Sequence, residues 1–249
     1  MNQFSQFSIS SWAAWSDSCS LPSEWAAWAR HEEFLPQEHG LEISDIPAMK
    51  RRRMSFLTKM AFHSALKSAS SSEKDLNLVF ASQHGELQRT VKILKSLAQS
   101  GEVSPTDFSM SVHNTAVGLY SILTKNHAPA TSVAAGDDSF GFGLMESVNL
   151  LYRYPQKSTL FVYFDDSLPE PLAHLPRQQN RRVSIALLLK NSEENTTSFR
   201  VSPRDIHEAG ESSASLTMAE SFLQFFLGQN VISQYQTRRY LWEWRKDSV

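Results

Sequence analysis

Two long apolar runs constrain the fold of this chain more than any other feature of its sequence. They are STLFVYFDD at residues 158–166 and RVSIALLLK at residues 182–190. A strand that faces solvent on one side alternates apolar and polar residues, whereas a strand covered on both faces is apolar almost throughout. Both runs therefore predict buried strands in a sheet that carries helices on both faces.

Strands and helices alternate along the chain, which is typical of an α/β layered fold with a mixed, partly parallel sheet. The other predicted strands lie at residues 4–15, 76–82 and 131–136, and the predicted helices at 46–69, 84–101, 111–124 and 138–151. After residue 190 we expect a strand near 196–203, a helix ended by Gly228 and a last strand near 238–247. In that last strand Tyr240, Trp242 and Trp244 share one face, because side chains alternate along a strand.

The composition indicates a soluble protein of a reducing compartment. The 249 residues suit one large domain or two small ones, and the net charge of −2 gives no general attraction to nucleic acid or anionic membranes. Cys19, the single cysteine, excludes an intramolecular disulfide and a multi-cysteine metal site. Because the N-terminus has no basic region and no run approaches about 18 apolar residues, we expect a cytoplasmic protein without a membrane span.

The segment ATSVAAGDDSFGFG, which begins at residue 130, predicts a strand, a tight acidic elbow and a helix. Many enzymes carry a nucleophile at such a junction, but here it holds Asp137 and Asp138. Two carboxylates can serve acid–base chemistry or bind a metal, although further oxygen ligands would have to come from the distant Asp165 and Asp166. Aspartate is also favoured at helix N-termini, and we therefore interpret the pair as capping residues.

The other candidate catalytic residues form no complete motif. Ser139 does not fit the G-x-S-x-G elbow of hydrolases, because Asp137 stands where the first glycine belongs. His84, His113 and His207 are scattered, and no pair has the i, i+4 spacing of a helical zinc site. We interpret them as hydrogen-bonded structural residues, and we expect no metal and no cofactor.

The run KRRR at residues 50–53 is the strongest concentration of charge. It suits an acidic partner such as a carrier protein, or a phosphate group. A short basic run is also typical of the solvated face of a helix, so both interpretations stay open.

Ordered sequence blocks resemble the N-terminal half of β-ketoacyl synthases over about residues 1–190. They are FASQHGE, then SPTDFSMSVHNTAVGLYSIL, then TSVAAGDDSF, while PAMKRRRMSFLTKMA resembles the Arg-rich helix of a shorter branch of that superfamily. The resemblance implies a thiolase-like half-domain at residues 1–190, with the C-terminal half truncated. Residues 191–249 are then expected to form a short strand–helix–strand extension packed on the same domain.

The resemblance also implies a role without catalysis. The family's nucleophilic cysteine falls at Asp137, and the family's two histidines and oxyanion loop belong to the half that is missing. Inactive homologues of this kind resemble chain-length factors, which form heterodimers with a full-length ketosynthase and shape its acyl tunnel. The pattern of the shorter branch implies a type II polyketide pathway of the aryl polyene type, or fatty-acid-like biosynthesis, with an acyl carrier protein as a transient partner.

In ketosynthase dimers the elbow strand and the helix before it form much of the interface, which implies residues 131–136 and 111–124 here. The resulting candidates for the interface and the tunnel are Phe108, Met110, Val112, His113, Ala116, Tyr120, Ser132, Val133 and Ala134. Arg51, Arg52 and Arg53 are the candidates for docking the carrier protein. The alternative function is a stand-alone acyl-thioester enzyme, either a hydrolase that uses Ser139 or a decarboxylase that uses His113 or His84.

Overall fold

The computed structural model describes residues 5–69, 73, 75–174, 181–191, 197–206 and 215–247. Eight strands form one sheet in the order β3-β2-β4-β5-β1-β6-β8-β7. They are β1 Ser5–Ser16, β2 Asn77–Ala81, β3 Ala130–Val133, β4 Thr159–Asp165, β5 Val183–Lys190, β6 Ser198–Asp205, β7 Ile232–Gln236 and β8 Tyr240–Asp247. The helices are α1 Pro22–Ala29, α2 Ala48–Arg51, α3 Phe56–Ser68, α4 Leu87–Ser100, α5 Pro105–Ser109, α6 Thr115–Thr124, α7 Ser139–Arg153 and α8 Met218–Leu227.

The first five strands form the mixed sheet that the sequence predicts. β2 is parallel to β3 and β4, whereas β5 is antiparallel to both of its neighbours, β4 and β1. The two apolar runs are confirmed as the adjacent strands β4 and β5, and every residue of them is buried except Lys190. This layered arrangement confirms the predicted thiolase-like fold.

Helices cover both faces of these strands. Leu78 and Phe80 of β2 lie in a core with α3 and α6, while Val79 and Ala81 lie in a second core with α7 and α8. This alternation is the two-residue period of a strand that is covered on both sides.

The C-terminal segment forms a second layer over α7 and α8. β6 pairs with only three residues of β1, and β8 and β7 continue the sheet from there. Trp242 packs edge-on against Phe142 of α7 at a ring-centroid distance of 5.1 Å, and Trp244 packs against Phe222 of α8 at 5.5 Å. A Cβ atom at Gly141 would lie 2.5 Å from the Trp242 ring, so this close contact requires glycine. Helices α7 and α8 are therefore enclosed between two parts of the same sheet, and a domain boundary at residue 190 stays a prediction.

Several predicted boundaries were wrong. The single helix expected at 46–69 is divided into α2 and α3, because the chain turns after Arg51 and Ser55 caps α3 by accepting a hydrogen bond from the Thr58 amide at 3.0 Å. The strand expected to reach residue 136 ends at Val133, where the elbow begins. Helices α1 and α5 and strand β7 were not predicted. Among the described residues, no helix is long and apolar enough to cross a bilayer.

Candidate functional site: the elbow and the surface beside it

The elbow lies where β3 ends, at the carboxyl edge shared by the parallel strands β2, β3 and β4. Sites in α/β proteins commonly occupy this edge. A single turn of 3₁₀ helix, Gly136–Asp138, joins β3 to α7, and Gly136 has a φ of 61°, which favours glycine. The predicted strand, elbow and helix are therefore confirmed.

Asp138 is buried and binds side chains of the C-terminal strands. Its Oδ1 accepts hydrogen bonds from Trp242 Nε1 at 2.8 Å and from Thr237 Oγ1 at 2.7 Å. The carboxylate therefore fastens the elbow to β8 and to the turn before it. Asp138 occupies the N-cap position of α7, as expected, but its side chain makes no capping hydrogen bond and faces these two donors instead.

Asp137 is half-exposed, and its two oxygens face different partners. Oδ1 accepts a hydrogen bond from Gln83 Nε2 at 2.7 Å, and Oδ2 lies 3.8 Å from the Arg238 guanidinium. The capping role expected for Asp137 was wrong, because no side chain caps the turn that contains it. Asp137 is thus a carboxylate that contacts an amide and a cation.

Asp165 fixes the loop that carries Gln83. Its carboxylate accepts hydrogen bonds from Ser82 Oγ at 2.8 Å, the Gln83 amide at 3.0 Å and the Tyr163 hydroxyl at 2.6 Å. Burial, reinforced by the negative charge of Asp165, raises the pKa of Tyr163 well above its usual value. Asp165 therefore serves the structure of this edge, and no group of three potential metal ligands occurs in the part of the chain that the structure describes.

Ser139 and the histidines do not assemble a hydrolytic site. The buried Ser139 hydroxyl donates a hydrogen bond to the Gly136 carbonyl at 2.7 Å and accepts one from the Ala135 amide at 2.9 Å. Its donor and its acceptor are therefore both used by backbone groups. His113 Nε2 lies 3.0 Å from the Ser82 carbonyl oxygen, and the His84 amide donates to Asp165 at 3.2 Å. His207 lies outside the described residues.

Strand β3 forms one edge of the sheet. It pairs with β2 on one side, and on its other side no strand among the described residues pairs with it. Ser132 and Val133 are half-buried and Ala134 is exposed. This edge presents backbone donors and acceptors that a strand of another chain can use.

The residues predicted to face a partner from α5, α6 and the segment between these helices divide into two groups. Phe108 and Val112 are 62% and 42% exposed, and Met110 and His113 are partly exposed. Ala116 and Tyr120 instead lie in this chain's own core, where the Tyr120 ring lies 5.4 Å from Phe62 and 5.5 Å from Phe80. We therefore remove these two from the set that faces a partner, because their helix turns that side toward α3 and β2.

Helix α4 is a further surface candidate that the sequence interpretation missed. None of its residues, all of which the structure describes, is buried, and Leu94 and Leu97 are 57% and 49% exposed. The stripe on its apolar side consists of Leu87, Val91, Leu94, Leu97 and Ala98. This helical spacing was visible in the sequence, but the sequence did not show that the stripe stays uncovered.

The basic run lies next to α4. Arg52 and Arg53 are exposed and Arg51 is partly buried. The Arg53 carbonyl accepts a hydrogen bond from Arg89 of α4 at 3.1 Å. Met49, 74% exposed, adds an apolar side chain to this basic surface.

Comparison with known proteins finds a family model and solved structures that match most of this chain. A family model described as the β-ketoacyl synthase N-terminal domain matches residues 25–245. A chain of the Xenorhabdus doucetiae complex of the ketosynthase ApeO with its chain length factor ApeC is 28% identical, with a TM-score of 0.82 over 96% of this chain and 99% of that one. The comparison with curated proteins finds no significant match.

Two more distant structures share the fold. The ishigamide ketosynthase/chain length factor is 16% identical, with a TM-score of 0.63 over 80% of this chain and 67% of that one. A structure of a type II polyketide acyl carrier protein with its ketosynthase, AntDE:AntF, is 9% identical, with a TM-score of 0.73 over 98% of this chain and 99% of that one.

Proposed function

Because the chain belongs to the β-ketoacyl synthase family through its N-terminal domain, we propose that it is a non-catalytic, chain-length-factor-like subunit. In this role it forms a heterodimer with a full-length β-ketoacyl–carrier protein synthase and shapes the tunnel in which that enzyme's acyl chain grows. The similarity to a chain of a ketosynthase–chain length factor complex, over nearly the full length of both chains, supports this proposal.

The observation that carries the proposal is Asp137 in an intact elbow. The Gly136 turn and the buried helix α7 form the elbow that the resemblance to condensing enzymes implies. At the position that this resemblance assigns to the nucleophile, the side chain is a carboxylate. Loading an acyl chain from a carrier requires thioester exchange with a thiolate, and a carboxylate does not support that exchange. No nucleophile–base pair replaces it among the residues that the structure describes around the elbow.

The proposed interface combines the free edge of β3 with the uncovered side chains of α4, α5 and α6. An unpaired edge strand and a group of exposed apolar side chains are both typical of surfaces that another chain covers. Leu94, Leu97, Phe108, Val112 and Ile122 are the large apolar side chains exposed here. A ketosynthase subunit fits this surface because its own elbow strand offers the matching edge.

Phe108, Met110 and Val112 are the candidates that limit chain growth by their bulk. They are accessible at the proposed interface, whereas Ala116 and Tyr120 are enclosed. Replacing the exposed Phe108 with alanine should lengthen the product of the heterodimer, because it removes a large ring from the wall of the tunnel. Tyr152→Ala, which removes an equally exposed ring from α7, is the control.

We assign the docking of the acyl carrier protein to Arg51, Arg52 and Arg53, with polyketide biosynthesis of the aryl polyene type, or fatty-acid-like biosynthesis, as the pathway. Exposed guanidinium groups favour an acidic carrier and its phosphate-bearing arm. Arg52→Glu together with Arg53→Glu should raise the KM for the carrier protein and leave heterodimer assembly unchanged.

Reconstituted condensation tests the proposed function. The heterodimer should turn over, replacement of the active cysteine in the ketosynthase should abolish turnover, and Asp137→Asn in this chain should leave turnover unchanged. Loss of turnover in an Asp137→Asn heterodimer that still assembles would contradict a non-catalytic role. Thioester turnover by this chain alone, lost on Ser139→Ala, would establish the alternative of an independent enzyme.

A further inference from the structure

Polar contacts hold helix α4 against the rest of the chain. Leu87 and Val91 are partly covered, but every residue of this fully described helix keeps some exposure. A helix of 14 residues is marginal in water by itself, and most helices in proteins are stabilised by burying an apolar side. The position of α4 therefore depends on a few specific contacts.

Arg89, in the first turn of α4, makes the central contacts. Its Nη1 donates to Asp107 Oδ1 of α5 at 3.0 Å, and its Nη2 donates to the Arg53 carbonyl at 3.1 Å. Its Nε lies 3.7 Å from Glu86 Oε2, and only 17% of its side chain is exposed. One guanidinium thus joins α4 to α5 and to the end of the basic run.

Glu86 extends this connection into the core. Its Oε1 accepts hydrogen bonds from Ser55 Oγ at 2.6 Å and from Thr58 Oγ1 at 2.7 Å, both at the start of the buried helix α3. On the other side of α4, Gln88 Nε2 donates to the Ser167 carbonyl at 2.9 Å. These contacts fix the first turn of α4, while Leu94 and Leu97 extend from it into solvent.

We propose that Arg89 is the positioning residue of the interface surface, because it holds α4 and α5 in one fixed arrangement and anchors them to the backbone at the end of the basic run. The identity of the partner rests on the proposed function, whereas the positioning of α4 does not. A guanidinium suits this task because it is planar and always charged, and it donates in three directions at once. A lysine carries its three donors on a single nitrogen, so at this position it lacks the planar fork that reaches Asp107 and the Arg53 carbonyl from different nitrogens.

Hydrogen exchange of the isolated chain tests the positioning directly. In Arg89→Ala, the amides of α4 and α5 should exchange at least about tenfold faster than in the wild type, because local opening of this surface then requires less free energy. The amides of α7 and β4 should keep the wild-type rate. Arg89→Lys should fall between the two. Lys92→Ala, three residues on and exposed, is the matched control and should exchange like the wild type.

The affinity for the ketosynthase provides the second measurement. Arg89→Ala should weaken binding about tenfold, Asp107→Asn should weaken it less, and Lys92→Ala should leave it unchanged. Exchange that accelerates equally in α4 and α7 would overturn the proposal, because Arg89 would then serve global stability. Weaker binding with unchanged exchange would also overturn it, since Arg89 would then contact the partner itself.

Faster exchange in α4 with unchanged affinity would overturn the link to the interface. If the wild-type chain binds no ketosynthase at all, the proposed function fails, and the exchange experiment still decides whether Arg89 positions α4.

Discussion

Helices α7 and α4 occupy equivalent places in the chain but have opposite environments. Each follows a parallel strand of the sheet, β3 for α7 and β2 for α4, and their lengths are 15 and 14 residues. Nine residues of α7 are buried, whereas none of the 14 residues of α4 is buried. The structure describes every residue of both helices. The chain therefore buries the helix that follows the elbow and leaves the neighbouring helix uncovered.

The difference follows from what covers each helix. Strands β4 and β8 enclose α7 from two sides, and Trp242 approaches Gly141 too closely for any larger residue. The outer side of α4 faces solvent in the single chain. Helix α7 is thus held by its own chain, whereas α4 leaves an exposed apolar stripe that the proposed partner would cover.

The largest expected effect is loss of stability on truncating the buried helix. Leu144 of α7 is fully buried, so Leu144→Ala should lower the free energy of unfolding by about 3 kcal/mol through lost burial and a residual cavity. Urea denaturation of the isolated chain measures this. A loss below about 1 kcal/mol, the range of mild substitutions, would show that α7 is not held as we describe.

The second largest expected effect is a loss of unfolding free energy on acidification, caused by a buried histidine. His63 of α3 is fully buried; its Nδ1 accepts the Glu42 amide at 2.8 Å, and burial, aided by the charge of Lys67, lowers its pKa to about 4. Because the unfolded chain binds this proton near pH 6.5 and the folded chain does not, folding loses stability as the pH falls from 6.5 toward 4.

When the pH is lowered from 7 to 5, protonation of this histidine in the unfolded chain should lower the free energy of unfolding by about 2 kcal/mol. Urea denaturation of wild type and His63→Gln at both pH values isolates its contribution, because the other titrating groups are common to both proteins. Equal pH dependence in the two proteins would show that His63 is not responsible.

The buried carboxylate of the elbow should contribute more to stability than the half-exposed one, as the buried helix α7 does compared with the exposed helix α4. Asp138→Asn should lower the free energy of unfolding by about 1.5 kcal/mol, because the buried group that accepts hydrogen bonds from Trp242 and Thr237 loses its charge. Asp137→Asn, half-exposed, is the matched control and should change stability by less than about 0.5 kcal/mol. The reverse order in thermal unfolding would contradict the assignment of Asp138 as the residue that fastens the elbow to β8.

The smallest effect on stability is expected in α4. Leu94→Ala should change the free energy of unfolding of the isolated chain by less than about 0.5 kcal/mol, because Leu94 is 57% exposed. The same variant should weaken binding to the ketosynthase, since its side chain becomes buried only there. A large loss of stability in the isolated chain, or wild-type affinity, would remove the contrast between α4 and α7.

The sequence predicted the parts of the fold that follow from local pattern. The runs that became β4 and β5 were apolar almost throughout, and the elbow was marked by a short strand, Gly136 and a following apolar helix. The shared face of Trp242 and Trp244 followed from alternation alone. These features depend on neighbouring residues, so a single sequence contains them.

Features that depend on distant contacts were not predictable from the sequence. Asp138 looks like a capping residue until Trp242, 104 residues later, supplies a donor for its side chain. Tyr120 looks like an interface residue until Phe62 and Phe80 are found around it. The apolar stripe of α4 was visible, but a pattern alone does not distinguish a helix that its own chain covers from one that a partner covers.

The most direct test of the central claim is the mass of the complex formed on co-expression with the cognate full-length ketosynthase, measured by size-exclusion chromatography with light scattering. We predict a stable complex with one copy of each chain, weakened by Leu94→Ala and unaffected by Lys92→Ala. A stable monomer that does not associate with the ketosynthase would contradict the account.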